Sequence, residues 1–131
     1  MTEKAKIGII GSGYWGPNLI RNFVELPGST VVIVADLDQE RLDAISERFP
    51  QIPLTTQDYR ELFKLDLDAV VIATPPFSHH AIARECLENG LHVLVEKPIT
   101  LNSSDAYDLK KLAEERGLVL MVGHTFEYNP A

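Results

Sequence analysis

Six short runs of mostly β-branched, apolar residues punctuate the sequence at 7–10, 31–35, 52–54, 69–73, 91–95 and 118–122. Nearly all are uninterrupted rather than alternating, and stretches of helical period separate them. A strand that is apolar on both faces must be covered on both faces, and strands joined through helices run parallel. The pattern therefore predicts an α/β chain with a parallel sheet between two helical layers. Doubly wound order, 3-2-1-4-5-6, is the expected topology. At 131 residues the chain is long enough for one such domain.

The helical stretches carry their own punctuation. Leu19, Ile20, Phe23 and Val24 share a face, with Pro17 in the first turn and Pro27-Gly28 as a stop. Asp38 is placed to cap a helix bearing Leu42, Ile45 and Phe49, which Pro50 ends. The third unit is the least marked: 52–54 reads as a short edge strand, and Thr55 with Asp58 resembles a capping box for a helix with Leu62 and Phe63. Pro75-Pro76 leads into a helix with Ile82, Ala83, Cys86 and Leu87 inward, closed by Asn89-Gly90. Asn102 or Ser103 caps a last helix with Leu109, Leu112 and Ala113 inward, and Gly117 stops it. Residues 123–131 show no settled period.

Composition removes several function classes. Charged residues are 24% and apolar residues 45%, an ordinary globular balance. Twelve basic against 19 acidic residues leave a formal charge of -7, without the basic field of a nucleic-acid binder. No apolar run approaches the roughly 18 residues of a membrane span, and the first residues lack a signal-peptide core. Cys86 is the single cysteine, so no internal disulfide can form. A cytoplasmic, reducing location is expected. No Cys/His cluster has metal-ligand spacing, so no metal site is predicted.

The chemistry concentrates at the ends of the predicted strands. Gly11-Ser12-Gly13-Tyr14-Trp15-Gly16 is a G-x-G-x-x-G that follows the first strand and opens a helix. Gly11 would allow the tight turn, Gly13 the close approach of a pyrophosphate, and Gly16 close packing of helix on strand. The context predicts the phosphate loop of a Rossmann domain, with the helix N-terminus meeting phosphate charge, and a plain tight turn is the alternative. Asp36 ends the second strand 20 residues later, where an acid binds the adenosine ribose hydroxyls. Its neighbours Leu37 and Asp38 supply no Arg for a 2′-phosphate, so NAD is favoured over NADP. An S-adenosylmethionine site, the main rival, usually has an acid just before the first glycine; Ile9 and Ile10 stand there.

Thr74 and Pro75, with His79, follow the fourth strand, and Glu96-Lys97-Pro98 follows the fifth, both facing the same crevice. Lys97 beside a cationic oxidised nicotinamide would have a lowered pKa and could act as an acid/base or hydrogen-bond donor. Tyr14 and Trp15 either wall the cofactor crevice or pack over the end of the sheet. His124, after the sixth strand, is a candidate crevice residue. His80 and His92 are read as surface or packing residues, and Cys86 as core.

The glycine loop with Pro17-Asn18, Ala73-Thr74-Pro75 with His79, and Glu96-Lys97-Pro98 together resemble the Gfo/Idh/MocA oxidoreductases over essentially the whole chain. Tyr14-Trp15 and Gly123-His124-Thr125-Phe126 look most like the branch acting on nucleotide-linked amino sugars and their uronates. The resemblance implies a two-domain enzyme in which the first domain holds NAD(P), with His79 near the nicotinamide ribose. A second α/β domain would hold the sugar and supply a catalytic Asp and His. It also implies a cis Lys97–Pro98 peptide. On this reading residues 1–122 are the dinucleotide-binding domain and 123–131 begin the crossover to a domain not included. The expected function is that of a truncated NAD-binding domain of a sugar or nucleotide-sugar oxidoreductase, inactive alone and weakly self-associating, with Lys97 as its catalytic group. A stand-alone NAD-binding sensor or scaffold without catalysis is the alternative.

Overall fold

The computed structural model of the chain describes residues 4–11, 16–97 and 99–123. Strands β1 (Ala5–Ile10), β2 (Ser29–Ala35), β3 (Leu54–Thr56), β4 (Ala69–Ile72), β5 (His92–Glu96) and β6 (Leu120–Gly123) form one sheet in the order β3-β2-β1-β4-β5-β6. Every neighbouring pair is parallel, as the uninterrupted apolar runs predict. Helices α1 (Gly16–Glu25), α2 (Gln39–Arg48), α3 (His79–Glu88) and α4 (Ser103–Arg116) make the crossovers.

Strand alternation divides the core in two. Ile7, Ile9, Val34 and Val71 face Leu19 and Ile20 of α1 and Leu42 and Ile45 of α2. Ile10, Val70, Ile72, Val93 and Val95 face the other way, onto Ala83, Cys86 and Leu87 of α3 and Leu109 and Ala113 of α4. The β1–β2 register slips once: Ile7 pairs with Val31 but Gly8 with Ile33. Val32 is thus the extra residue of a bulge, and it packs in the same cluster as Ile33.

The helix signals act as read, with one exception. Asp38 accepts from the Glu40 N–H at 2.9 Å to cap α2, and Asn102 accepts from Asp105 N–H at 2.8 Å to cap α4. Gly117 ends α4 at φ 65°; its N–H bonds to the Glu114 carbonyl and that of Leu118 to Ala113, the paired closure that a left-handed residue permits. That closure occupies Leu118, so β6 starts at Leu120 and not at 118.

The exception is the third unit. The predicted strand 52–54 lies two residues early: β3 is Leu54–Thr56, paired with Ile33, Val34 and Ala35. Pro53 has no N–H to give a ladder, and Ile52 serves instead as a buried anchor. Capping also falls to a different residue. Asp58, not Thr55, accepts from the Arg60 N–H at 3.0 Å and starts a 3-10 helix, Tyr59–Lys64, that buries Leu62. Glu85 of α3 ties this segment down through the Tyr59 hydroxyl and Arg60 Nε.

Candidate functional site

The chain leaves β1 toward β2 and β3 on one side, then returns to place β4 on the other. At that reversal the carboxyl ends of the central strands open a crevice of about 640 Å³. Gly11 contributes from β1; Asp36, Leu37 and Asp38 from the end of β2; and Arg41 from the first turn of α2. Across from them lie Ala73 to Pro76 after β4, His79 at the start of α3, and Glu96 and Lys97 at the end of β5. An open α/β sheet binds ligands at this point because both neighbouring loops turn away from it.

Gly11 is there for two reasons. Its φ of +92° is unfavourable for a residue with a side chain, and an added Cβ would lie 2.8 Å from the carbonyl carbon and 2.9 Å from the carbonyl oxygen of Ala73. Its N–H donates to the Ala35 carbonyl at 2.7 Å, so the turn is tied to the end of β2. The backbone thus passes close to the β4 loop with no side chain between them. Glycine at this position therefore lets the β1 and β4 loops pack backbone to backbone beside the crevice.

Asp36 is half-buried, and its backbone N–H donates to the Thr56 carbonyl at 3.0 Å. Its Oδ1 accepts from the Asp38 N–H at 2.8 Å, which fixes the carboxylate on the rim. A carboxylate has acceptor sites for about four hydrogen bonds, so the group can be oriented and still receive ribose hydroxyls. Asp38 does double duty, capping α2 and lying 3.8 Å from Arg41 Nε.

The β4 loop is knitted internally. Ser78 Oγ lies 2.7 Å from both Thr74 Oγ1 and the Pro75 carbonyl. His79 is 1% exposed, with Nε2 2.7 Å from the Thr74 carbonyl. A carbonyl only accepts, so Nε2 carries the proton. His79 therefore lines the crevice as a buried, oriented ring that holds the loop in shape. Glu96 is half-buried at the end of β5 and Lys97 is exposed, its N–H facing the Gly123 carbonyl at 3.4 Å.

The structure thus gathers Gly11, Asp36, Thr74, Pro75, His79, Glu96 and Lys97 around one crevice. Gly16 opens α1. Gly13, Tyr14, Trp15, Pro98 and His124 lie outside the described residues. Five crevice residues were not among the sequence-predicted site residues: Leu37, 86% exposed, Asp38, Arg41, Ala73 and Pro76. Arg41 had a signal, since three residues beyond a helix cap lies on the same rim as the cap. His80 is an α3–α4 contact, and Cys86 is core, as read. Among the described residues no group of three or more His, Cys, Asp or Glu could hold a metal ion, and no helix is long and apolar enough to cross a membrane.

The family model described as an oxidoreductase family with an NAD-binding Rossmann fold, Gfo/Idh/MocA, matches residues 5–124. The chain belongs to the Gfo/Idh/MocA oxidoreductase family. It is an NAD-binding Rossmann domain of that family. It is 33% identical over 120 residues to glycosyl hydrolase family 109 protein 4 of Phocaeicola vulgatus, covering 86% of this chain and 23% of the relative. Identity is 31% over 131 residues to UDP-N-acetylglucosamine 3-dehydrogenase of Acidithiobacillus ferrooxidans, covering 96% of this chain and 39% of that enzyme. Among solved structures, GenD2 from gentamicin A biosynthesis, in complex with NAD, superimposes with a TM-score of 0.90 at 32% identity, over 99% of this chain and 37% of that one. The chain spans well under half the length of these relatives.

Proposed function

We propose that this chain is the cofactor-binding unit of a sugar or nucleotide-sugar oxidoreductase. Residues 1–122 form the dinucleotide-binding domain, and 123–131 begin a crossover toward a substrate-binding domain. The observation that carries this reading is that Gly11, Asp36 and Lys97, from three separate strands, line one crevice at the reversal of strand order. The donor set fits the cofactor: a side-chain-free turn for the pyrophosphate and an oriented carboxylate for ribose. NAD, when bound, supplies a hydride acceptor or donor for a sugar carbon. Gly11, with Gly13 and Gly16, admits the phosphates. Asp36 receives the adenosine ribose hydroxyls. His79 keeps Thr74 and Pro75 in place beside the nicotinamide end, with Tyr14, Trp15 and His124 as further walls. Lys97, beside Glu96, holds or moves the proton of the sugar hydroxyl. Two relatives whose names concern sugars, a glycosyl hydrolase and a UDP-N-acetylglucosamine dehydrogenase, support the substrate class.

Binding and turnover should separate in this chain. Positioning a substrate near attack distance can account for about 7–11 kcal/mol of barrier lowering, and general acid–base help for roughly 10²–10⁴-fold. The relatives place more than half their length beyond the matched part, which is where a substrate pocket would be built. The test is a calorimetric titration with NAD, NADP and S-adenosylmethionine, followed by assays of NADH formation against sugars and nucleotide sugars. We expect NAD to bind at least about tenfold more tightly than NADP, no binding of S-adenosylmethionine, and no turnover by the 131 residues alone. Turnover by this chain matching that of a longer relative would overturn the division of labour. Absence of NAD binding would overturn the site.

A further inference from the structure

Ser78 Oγ stands 2.7 Å from two oxygens of the loop after β4, the Pro75 carbonyl and the Thr74 hydroxyl. A serine hydroxyl has one proton to give, and a carbonyl can only accept. The Ser78 proton therefore lies on the Pro75 carbonyl. The contact between the two hydroxyls still needs a proton, and only Thr74 can supply it. The Thr74 O–H thus donates to Ser78 Oγ, and Thr74 Oγ1 has only lone pairs left for any other neighbour. We infer that Ser78 is a positioning residue for the cofactor: it fixes the Thr74 hydroxyl as a pure acceptor, which receives a hydroxyl of the nicotinamide ribose. The inference rests on the NAD reading above and goes beyond it, because it gives a role to Ser78 and a direction to the hydrogen bond at Thr74.

The surroundings agree with that polarity. Thr74 is half-buried in the crevice lining, and its carbonyl lies 2.7 Å from His79 Nε2, so the residue is held at two points. Cγ2 is the Thr74 atom nearest the place a Gly11 Cβ would take, at 2.9 Å. The methyl group thus lies toward the glycine turn, and the hydroxyl lies on the Ser78 side. Pro75 and Pro76, next in the lining, have no N–H to offer, so this stretch is poor in donors. Such a stretch disfavours phosphate oxygens, which need donors, and suits ribose hydroxyls, which can give a proton. The strand order points to which ribose. β2 and β4 flank β1. With the adenosine ribose on Asp36 at the tip of β2 and the pyrophosphate at Gly11 after β1, the second ribose falls to the loop after β4. Ser78 is outside the crevice lining and acts through Thr74.

The experiment is a calorimetric double-variant cycle on the 131-residue chain: wild type, Ser78→Ala, Thr74→Val and the double variant, each titrated with NAD, ADP-ribose and ADP. ADP-ribose carries the second ribose, and ADP lacks it. Thermal unfolding of each variant checks that the fold is kept, and Ser78→Thr, which restores a hydroxyl, is the rescue. We expect Ser78→Ala and Thr74→Val each to weaken NAD and ADP-ribose about three- to tenfold and ADP by under about twofold. On the Thr74→Val background Ser78→Ala should weaken binding no further, because its effect passes through the Thr74 hydroxyl. Ser78→Thr should bind as the wild-type chain does. Should Ser78→Ala lose its fold, the nearly isosteric Thr74→Val decides the ribose contact, and Ser78→Thr decides the need for a hydroxyl behind it. Unchanged ADP-ribose affinity in Ser78→Ala, an equal loss of ADP and ADP-ribose, or losses that add in the double variant would each overturn the inference, while NAD binding by the wild-type chain would keep the cofactor reading. A wild-type chain that binds neither NAD nor ADP-ribose would overturn both.

Discussion

His80 Nε2 of α3 lies 2.8 Å from Asp108 Oδ2 of α4, and Arg84 Nη1, one turn along α3, meets the same oxygen at 2.7 Å. Two donors on one helix thus converge on one carboxylate of the next and join the two crossovers that cover β4 and β5. The hydrogen bond from His80, and after it Arg84, hold the Asp108 carboxyl below its ordinary value of 3.8.

Acid should therefore loosen this contact. A carboxyl lowered in the folded state adds stability that is present in full above its ordinary value and is lost as pH falls through the lowered one. Asp108→Asn removes the titrating group. Thermal unfolding compared at about pH 5 and about pH 3 should show a smaller drop for Asp108→Asn than for the wild-type chain. An equally steep drop would mean that other carboxyls carry the acid sensitivity.

Gly11→Ala should be among the most damaging single changes in the chain. The new Cβ meets backbone atoms of Ala73 at 2.8 and 2.9 Å, and backbone cannot swing aside as a side chain can. Left-handed φ alone costs a non-glycine residue about 1–3 kcal/mol. We expect a loss of stability above about 2 kcal/mol and at least a tenfold loss of NAD affinity. Gly28→Ala is the matched control, since nothing lies within 4 Å of its Cβ position; its stability should stay within about 0.5 kcal/mol of wild type. Chemical denaturation of the two variants side by side decides the matter.

The fold was legible because a parallel sheet leaves a strong trace: strands buried on both faces cannot alternate, and Val70, Val71 and Ile72 are all nearly fully buried. The site was legible where chemistry demands a residue type at the tip of a strand, as with Gly11 and Asp36. It was not legible where helix geometry brings a residue back to the rim. Arg41 is five positions from Asp36, and only the rotation of the first turn of α2 puts it on the same wall. β3 was misplaced because an apolar residue count cannot distinguish Ile52 as a buried anchor from Ile52 as a strand residue, while the missing N–H of Pro53 does.

Cys86 should behave as a core side chain and not as a thiol reagent. It is fully buried on α3, and burial first, then the nearby charge of Glu85, push its thiol up to about 12. The reactive form is the thiolate. At neutral pH the native chain should react very slowly with an aromatic disulfide reagent, while the same chain in denaturant should react quickly and with one equivalent. Fast stoichiometric reaction of the native chain would place the thiol in an opening the packing does not provide.

The last prediction concerns the β6 edge of the sheet, beyond which no further strand pairs among the described residues. β6 ends the strand order, and Val119, Met121 and Val122 are 53%, 58% and 36% exposed there, with Leu101, 68% exposed, lining the same surface hollow as Val122. An edge strand presents unpaired backbone groups, and apolar side chains beside them favour pairing with another chain. Stable interfaces bury about 800 Å² per partner; a strand of four residues, Leu120–Gly123, offers much less. The association should therefore be weak, with a dissociation constant of roughly 0.1 mM or above. Met121 pairs in register with Leu94 of β5, so its side chain stands on the sheet surface beside a half-buried residue that packs against the core. Met121→Lys puts a charge on that edge without removing a buried side chain, which is how natural edges avoid pairing. Sedimentation velocity should show a coefficient that rises with concentration for the wild-type chain and stays flat for Met121→Lys. A wild-type chain that sediments as a monomer at every concentration, or as a tight oligomer that Met121→Lys leaves intact, would mean that this edge does not drive association.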